Sequence, residues 1–108
     1  MEKLLKIKKK KFYSMVNLNG KLNKINIAVF ISGRGSNLKS IIKSSKKKNS
    51  LYKVAIVISD KKNAKGLLIA KKKGIINYSI DFTKSKQLTN KVLKILKQNK
   101  IRLICLAG

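Results

Sequence analysis

In this 108-residue chain, Ser32-Gly33-Arg34-Gly35-Ser36-Asn37 has the residue types and spacing suited to binding chemistry. Gly33 and Gly35 can take φ > 0 and let backbone approach a ligand closely. The amides of Gly35, Ser36 and Asn37 then fall at the N-terminus of a following helix, where unpaired N–H groups and the helix dipole favour a phosphate. A purely structural turn, with Ser36 or Asn37 capping that helix, is the other reading of the same residues. A dinucleotide fingerprint G-x-G-x-x-G breaks at its third glycine, where Leu38 stands. Asp60, at the end of a second strand, still leaves a ribose contact and a dinucleotide-binding domain open. A Walker A loop is excluded, because no G-x-x-x-x-G-K-[ST] occurs. With no histidine and the single cysteine Cys105, a zinc site, a disulfide framework and a His-based triad are also excluded within this chain. Cys105 reads as a buried strand residue that packs.

The elements that must position this loop follow from hydrophobic spacing. Ile25 to Ile31 is a nearly continuous apolar run, as in a strand buried on both faces. Leu38, Ile41 and Ile42 then recur at helical spacing. Val54 to Ile58 is a second buried strand. A helix from about Ala64 to Lys73 carries Leu67, Leu68 and Ala70 and stops at Gly74, a C′ glycine. Ile75 to Ile80 is a weaker third strand. Leu88, Val92, Ile95 and Leu96 mark an amphipathic helix of about a dozen residues. Ile101 to Leu106 is the fourth strand, apolar at five of six positions as a central strand would be. This order predicts right-handed crossovers and an open parallel α/β sheet, with ligands beyond the carboxyl ends of the strands near the first one. Gly33 to Asn37 falls there. With nothing after Gly108 to cover the fourth strand, residues 25–108 read as the first half of a larger α/β domain, truncated after that strand.

Residues 1–24 form a polar leader with the lysine run Lys8 to Lys11, expected to be a disordered extension. It lacks the apolar segment of a secretory signal, and no stretch approaches the roughly 18 apolar residues of a membrane span, so a cytoplasmic location with no membrane partner is expected. Hydrophobic residues at 44% argue for a globular core. The chain has 28 Lys and Arg against 3 Asp and Glu, a net charge of +25. Of the basic residues 26 are lysines, point charges that lack the planar fork of arginine, and no aromatic-rich stacking platform accompanies them. Lys, Ile and Asn supply 51 residues while Pro, His and Trp are absent, the pattern of an AT-rich gene. The charge therefore reads as background of composition. A basic module that binds nucleic acid without sequence specificity is kept as an alternative.

The segment Ile27-Ala28-Val29-Phe30-Ile31-Ser32-Gly33-Arg34-Gly35-Ser36-Asn37-Leu38, followed by Ile41 and Ile42, resembles the opening of the glycinamide ribonucleotide formyltransferases. The likeness continues through Val57-Ile58-Ser59-Asp60-Lys61, Ala64, Gly66-Leu67, Ala70 and Gly74-Ile75 to Leu106-Ala107-Gly108. Formyltetrahydrofolate deformylases and methionyl-tRNA formyltransferases share parts of the layout but differ in this loop. The resemblance implies a Rossmann-like formyltransferase fold acting in purine biosynthesis. It also implies a reaction in which the amine of glycinamide ribonucleotide takes the formyl group of 10-formyltetrahydrofolate without a metal. Gly35, Ser36 and Asn37 match the segment that holds the substrate's 5′-phosphate. The family's catalytic Asn, His and Asp align beyond Gly108, so this chain by itself is expected to be inactive, with Leu106 to Gly108 forming one lip of the folate pocket. A folate-contacting arginine of the family aligns with Ser85, flanked by Lys84 and Lys86, and Asp60 stands where many relatives have Asn.

Overall fold

The computed structural model describes residues 24–32, 35–81 and 86–107, with no account of the side chains of 86–89. Its elements alternate as expected: β1 (Ile25–Ile31), α1 (Ser36–Ser45), β2 (Tyr52–Ser59), α2 (Lys65–Lys72), β3 (Ile76–Ser79), α3 (Lys86–Gln98) and β4 (Ile101–Leu106). All strand pairs are parallel, in the order β3-β2-β1-β4. The chain thus runs outward from β1 to β3 and then returns to the other side of β1. This reversal is a topological switch point, and it lies between β1 and β4.

Side-chain alternation along β1 divides the core into two layers. Ile27, Val29 and Ile31 pack with Leu38, Ile41 and Ile42 of α1 and with Leu67 and Ala70 of α2. Ala28, on the opposite face, packs with Val92 and Ile95 of α3. Helices therefore cover both faces, which is why β1 and β2 read as continuous apolar runs. A strict period of two fails in β2, because Val54 lies on the α1 face and Ile56 on the α3 face. The pairing explains this: Ile27 opposes Val54 and Ala28 opposes Ile56, so Ala55 is an extra residue that reverses the alternation. Arg102 does the same in β4, where Asn26 opposes Ile101 but Ile27 opposes Leu103.

Two sequence expectations shift at the sheet margins. The third strand is shorter than Ile75 to Ile80; Ile76 and Tyr78 are exposed because β3 is an edge, and Ile80 is buried just beyond it. The fourth strand, apolar enough for a central position, is the other edge of the described sheet, leaving Ile104 half-exposed and Leu106 80% exposed. Gly74 does terminate α2 as expected. It has φ +70, and the amides of Gly74 and Ile75 donate to the carbonyls of Lys71 and Ala70, the paired bonds of a Schellman motif. Residues 1–23 of the leader lie outside the described residues. Lys24 does not: its Nζ donates to the carbonyls of Ser45 (2.6 Å) and Lys47 (3.0 Å) at the end of α1.

Tyr52 is buried at the start of β2, and among the described residues its hydroxyl has no hydrogen-bond partner. A buried unpaired hydroxyl carries a desolvation cost that a phenyl ring avoids. Tyr52→Phe is therefore expected to leave the unfolding free energy in urea unchanged, or to raise it by up to ~1 kcal/mol. A loss larger than that would show that the hydroxyl is paired.

Candidate functional site

The C-terminal ends of β1 and β4 form the crevice at the switch point. Ser32 follows β1, Gly33 and Arg34 lie outside the described residues, and Gly35 then enters α1. Gly35 is the N-cap residue with φ 82, a left-handed conformation that suits glycine. Its carbonyl accepts the Lys39 amide at 3.0 Å, the first bond of the helix. Ser36 and Asn37 do not cap α1, which differs from the structural-turn reading: they occupy its first turn with exposed side chains, and among the described residues no side chain caps the helix. Helix geometry leaves the amides of Gly35, Ser36 and Asn37 without intrahelical acceptors. No acidic residue sits in that first turn to compete for them.

A second glycine fixes where these amides lie. A Cβ on Gly35 would stand 2.9 Å from the Gly66 Cα and 3.1 Å from the Ile69 Cδ1. A Cβ on Gly66 would collide with Ile31 Cδ1, at the end of β1. The entry of α1 therefore rests on the first turn of α2 through contacts that exclude side chains at both positions.

Beside the loop, Asn37, Ser40, Ile41, Cys105, Leu106 and Ala107 line a cavity of about 240 Å³ between α1 and the end of β4. The Ala107 amide donates to the Phe30 carbonyl at 2.8 Å, which holds the end of β4 against β1. Ser40 and Cys105 were not singled out as site residues by sequence reasoning. Ser40 follows Asn37 by three positions and so shares its helix face, a signal that was present; Cys105 combines core packing with a place on the cavity wall. Asp60 is exposed just after β2, apart from the residues lining this cavity. Gly108, Lys84 and Ser85 lie outside the described residues, as does the Lys86 side chain. Among the described residues no three His, Cys, Asp or Glu side chains come together as a metal-binding set. No helix there is long and apolar enough to cross a membrane.

A doubly wound parallel sheet with a glycine-entered helix at its switch point defines a Rossmann-like α/β domain. Within that class the chain belongs to the formyl transferase family, whose profile matches residues 25–108. It is 36% identical over 97 residues to the trifunctional purine biosynthetic protein adenosine-3 of Gallus gallus, covering 85% of this chain and 10% of that protein. Among solved structures, glycinamide ribonucleotide transformylase 1 from Symbiobacterium toebii superposes with a TM-score of 0.74 at 33% identity, over 88% of this chain and 46% of that one. Phosphoribosylglycinamide formyltransferase from Anaplasma phagocytophilum gives a TM-score of 0.69 at 33% identity, over 79% of this chain and 40% of that one. The chain thus spans less than half the length of these relatives.

Gly35 and Gly74 offer an internal comparison, since both have positive φ but a Cβ on Gly74 would meet nothing within 4 Å. Gly74→Ala is expected to cost ~1 kcal/mol, the left-handed penalty alone. Gly35→Ala is expected to cost about 3 kcal/mol, because the Gly66 backbone cannot move aside. Equal losses in equilibrium denaturation would refute the close approach.

Proposed function

We propose that this chain supplies the substrate-phosphate loop of a phosphoribosylglycinamide formyltransferase, a cytoplasmic step of purine biosynthesis. In that reaction the amine of glycinamide ribonucleotide attacks the formyl carbon of 10-formyltetrahydrofolate, giving the N-formyl product and tetrahydrofolate. The observation that carries the reading is the N-terminus of α1: three amides, of Gly35, Ser36 and Asn37, that no side chain among the described residues caps at the switch-point crevice. A 5′-phosphate there gains direct N–H donors and the positive end of the helix dipole. The wall formed by Cys105, Leu106 and Ala107 then flanks the bound ribonucleotide on its β4 side. The family match and the names of the solved relatives support this substrate class over a dinucleotide.

Formyl transfer also needs a group to take the proton leaving the amine and donors for the developing oxyanion. No histidine occurs in the 108 residues, and the carboxylates are Glu2, Asp60 and Asp81. The role assigned to this chain is therefore binding and orientation of the ribonucleotide.

Titration of the chain with glycinamide ribonucleotide, followed by NMR, is expected to shift the Gly35, Ser36 and Asn37 amides first. Asn37→Asp separates binding from capping. A carboxylate in the first turn favours the helix dipole by about 0.3–1 kcal/mol, so stability is expected to hold or rise. The same charge repels a phosphate, so the amide shifts are expected to disappear at ligand concentrations that saturate the unaltered chain. Persistence of the shifts in Asn37→Asp would remove the phosphate assignment.

A further inference from the structure

A parallel sheet has two chemically distinct ends, and the one opposite the substrate loop is strongly one-signed. The starts of β1 to β4 meet there, and the three helices, running back across the sheet, bring their C-termini to the same end. The turn after α1 carries Lys46, Lys47 and Lys48, and the end of α2 carries Lys71, Lys72 and Lys73; all six are exposed. Lys53 is exposed at the start of β2, and Lys100 is exposed just before β4. The two carboxylates among the described residues, Asp60 and Asp81, follow β2 and β3 at the opposite end. Topology thus gathers eight exposed lysines from scattered sequence positions at this end, against Lys39, Lys61, Lys62 and Lys65 at the other.

This end is also concave. A cleft of about 640 Å³ opens between the end of α1, the start of β2 and the turn from α2 to β3, with Lys24, Lys46, Lys53 and Lys73 on its walls. Lys24 spends its ammonium group on the carbonyls of Ser45 and Lys47. It thereby offsets the negative end of the α1 dipole and makes the cleft more favourable to anions. Lys46, Lys53 and Lys73 remain exposed around it.

We propose that this cleft and its lysine-bearing turns bind the phosphate backbone of a single-stranded nucleic acid without regard to sequence. Lysine ammonium groups are point charges suited to phosphates, and the near absence of arginine removes the forks that read base edges. Successive lysine turns around a concave cleft fit the repeated charges of a strand. A flat anionic bilayer would reach the rim and leave the walls unused. The surface is separate from the α1 N-terminus and does not depend on the formyl-transfer reading.

The test is fluorescence anisotropy of a labelled oligouridylate of about 20 nucleotides with the full chain, across about 50 to 300 mM salt. The unaltered chain is expected to bind with a steep negative salt slope. Lys46→Gln, Lys53→Gln and Lys73→Gln together are expected to weaken binding about tenfold or more at low salt and to flatten the log–log slope by about 2. The matched triple Lys61→Gln, Lys62→Gln and Lys65→Gln removes the same charge at the opposite end, and its affinity is expected to change less than about twofold. Lys46→Arg, Lys53→Arg and Lys73→Arg together preserve charge and are expected to retain binding, which guards against a folding defect. Equal losses in the two glutamine triples would overturn the proposal. So would a loss confined to Lys8→Gln through Lys11→Gln, or binding to phosphatidylserine vesicles without binding to the oligonucleotide.

Discussion

The close approach of Gly35 to Gly66 governs where α1 begins relative to the sheet and to α2. Ile31 closes β1, and its Cδ1 fills the space where a side chain on Gly66 would stand. That allows the first turn of α2 to descend onto the end of the sheet. Gly35 then passes over Gly66 with its Cα direction open to neither a side chain nor a conventional φ. Gly66 stands second in α2, within its first turn, where the missing Cβ permits this approach. Here it sets the height and angle at which α1 begins, and so where its first amides point.

The second organising fact is that both sheet faces are covered by helices while the strands keep an irregular register. The extra residues Ala55 and Arg102 turn neighbouring apolar side chains onto opposite faces. Val54 meets the α1 layer and Ile56 meets the α3 layer as a result. Leu103 and Ile101 divide the same way across β4. Cys105 then reaches the α1 side, where it touches the core and the cavity beside Asn37. A uniform alternation through β4 would have put a different set of side chains on that wall.

Parallel strands also impose an electrical polarity on the domain. Helix N-termini and strand C-termini share one end, and helix C-termini and strand N-termini share the other. The uncapped α1 terminus and both described carboxylates lie at the first end; the densest lysine turns lie at the second. Lysines that look evenly distributed along the chain therefore gather more densely at the second end, while Lys39, Lys61, Lys62 and Lys65 stay exposed at the first.

The order of elements was legible in the sequence because each depends on local periodicity: the apolar runs of β1 and β2, the i, i+3, i+4 spacing of Leu38, Ile41 and Ile42, and Gly74 as a helix stop. The glycine loop was legible for the same reason, since φ > 0 and a following helix are properties of neighbouring residues. Other features depended on partners distant in the chain. Gly66 had no visible role until Ile31 and Gly35 were brought against it, and Asn37 and Ser40 became one wall with Cys105 through the return of β4 to the side of β1. Capping by Ser36 or Asn37 was also open from residue type, and the backbone path through Gly35 decided against it. Sequence by itself determined the α/β class and the phosphate-loop candidate, because backbone conformation and hydrophobic spacing are local. Tertiary structure alone decided the switch point, the facing of side chains past each extra strand residue and the lysine-rich end, because these arise from contacts between segments far apart in the chain.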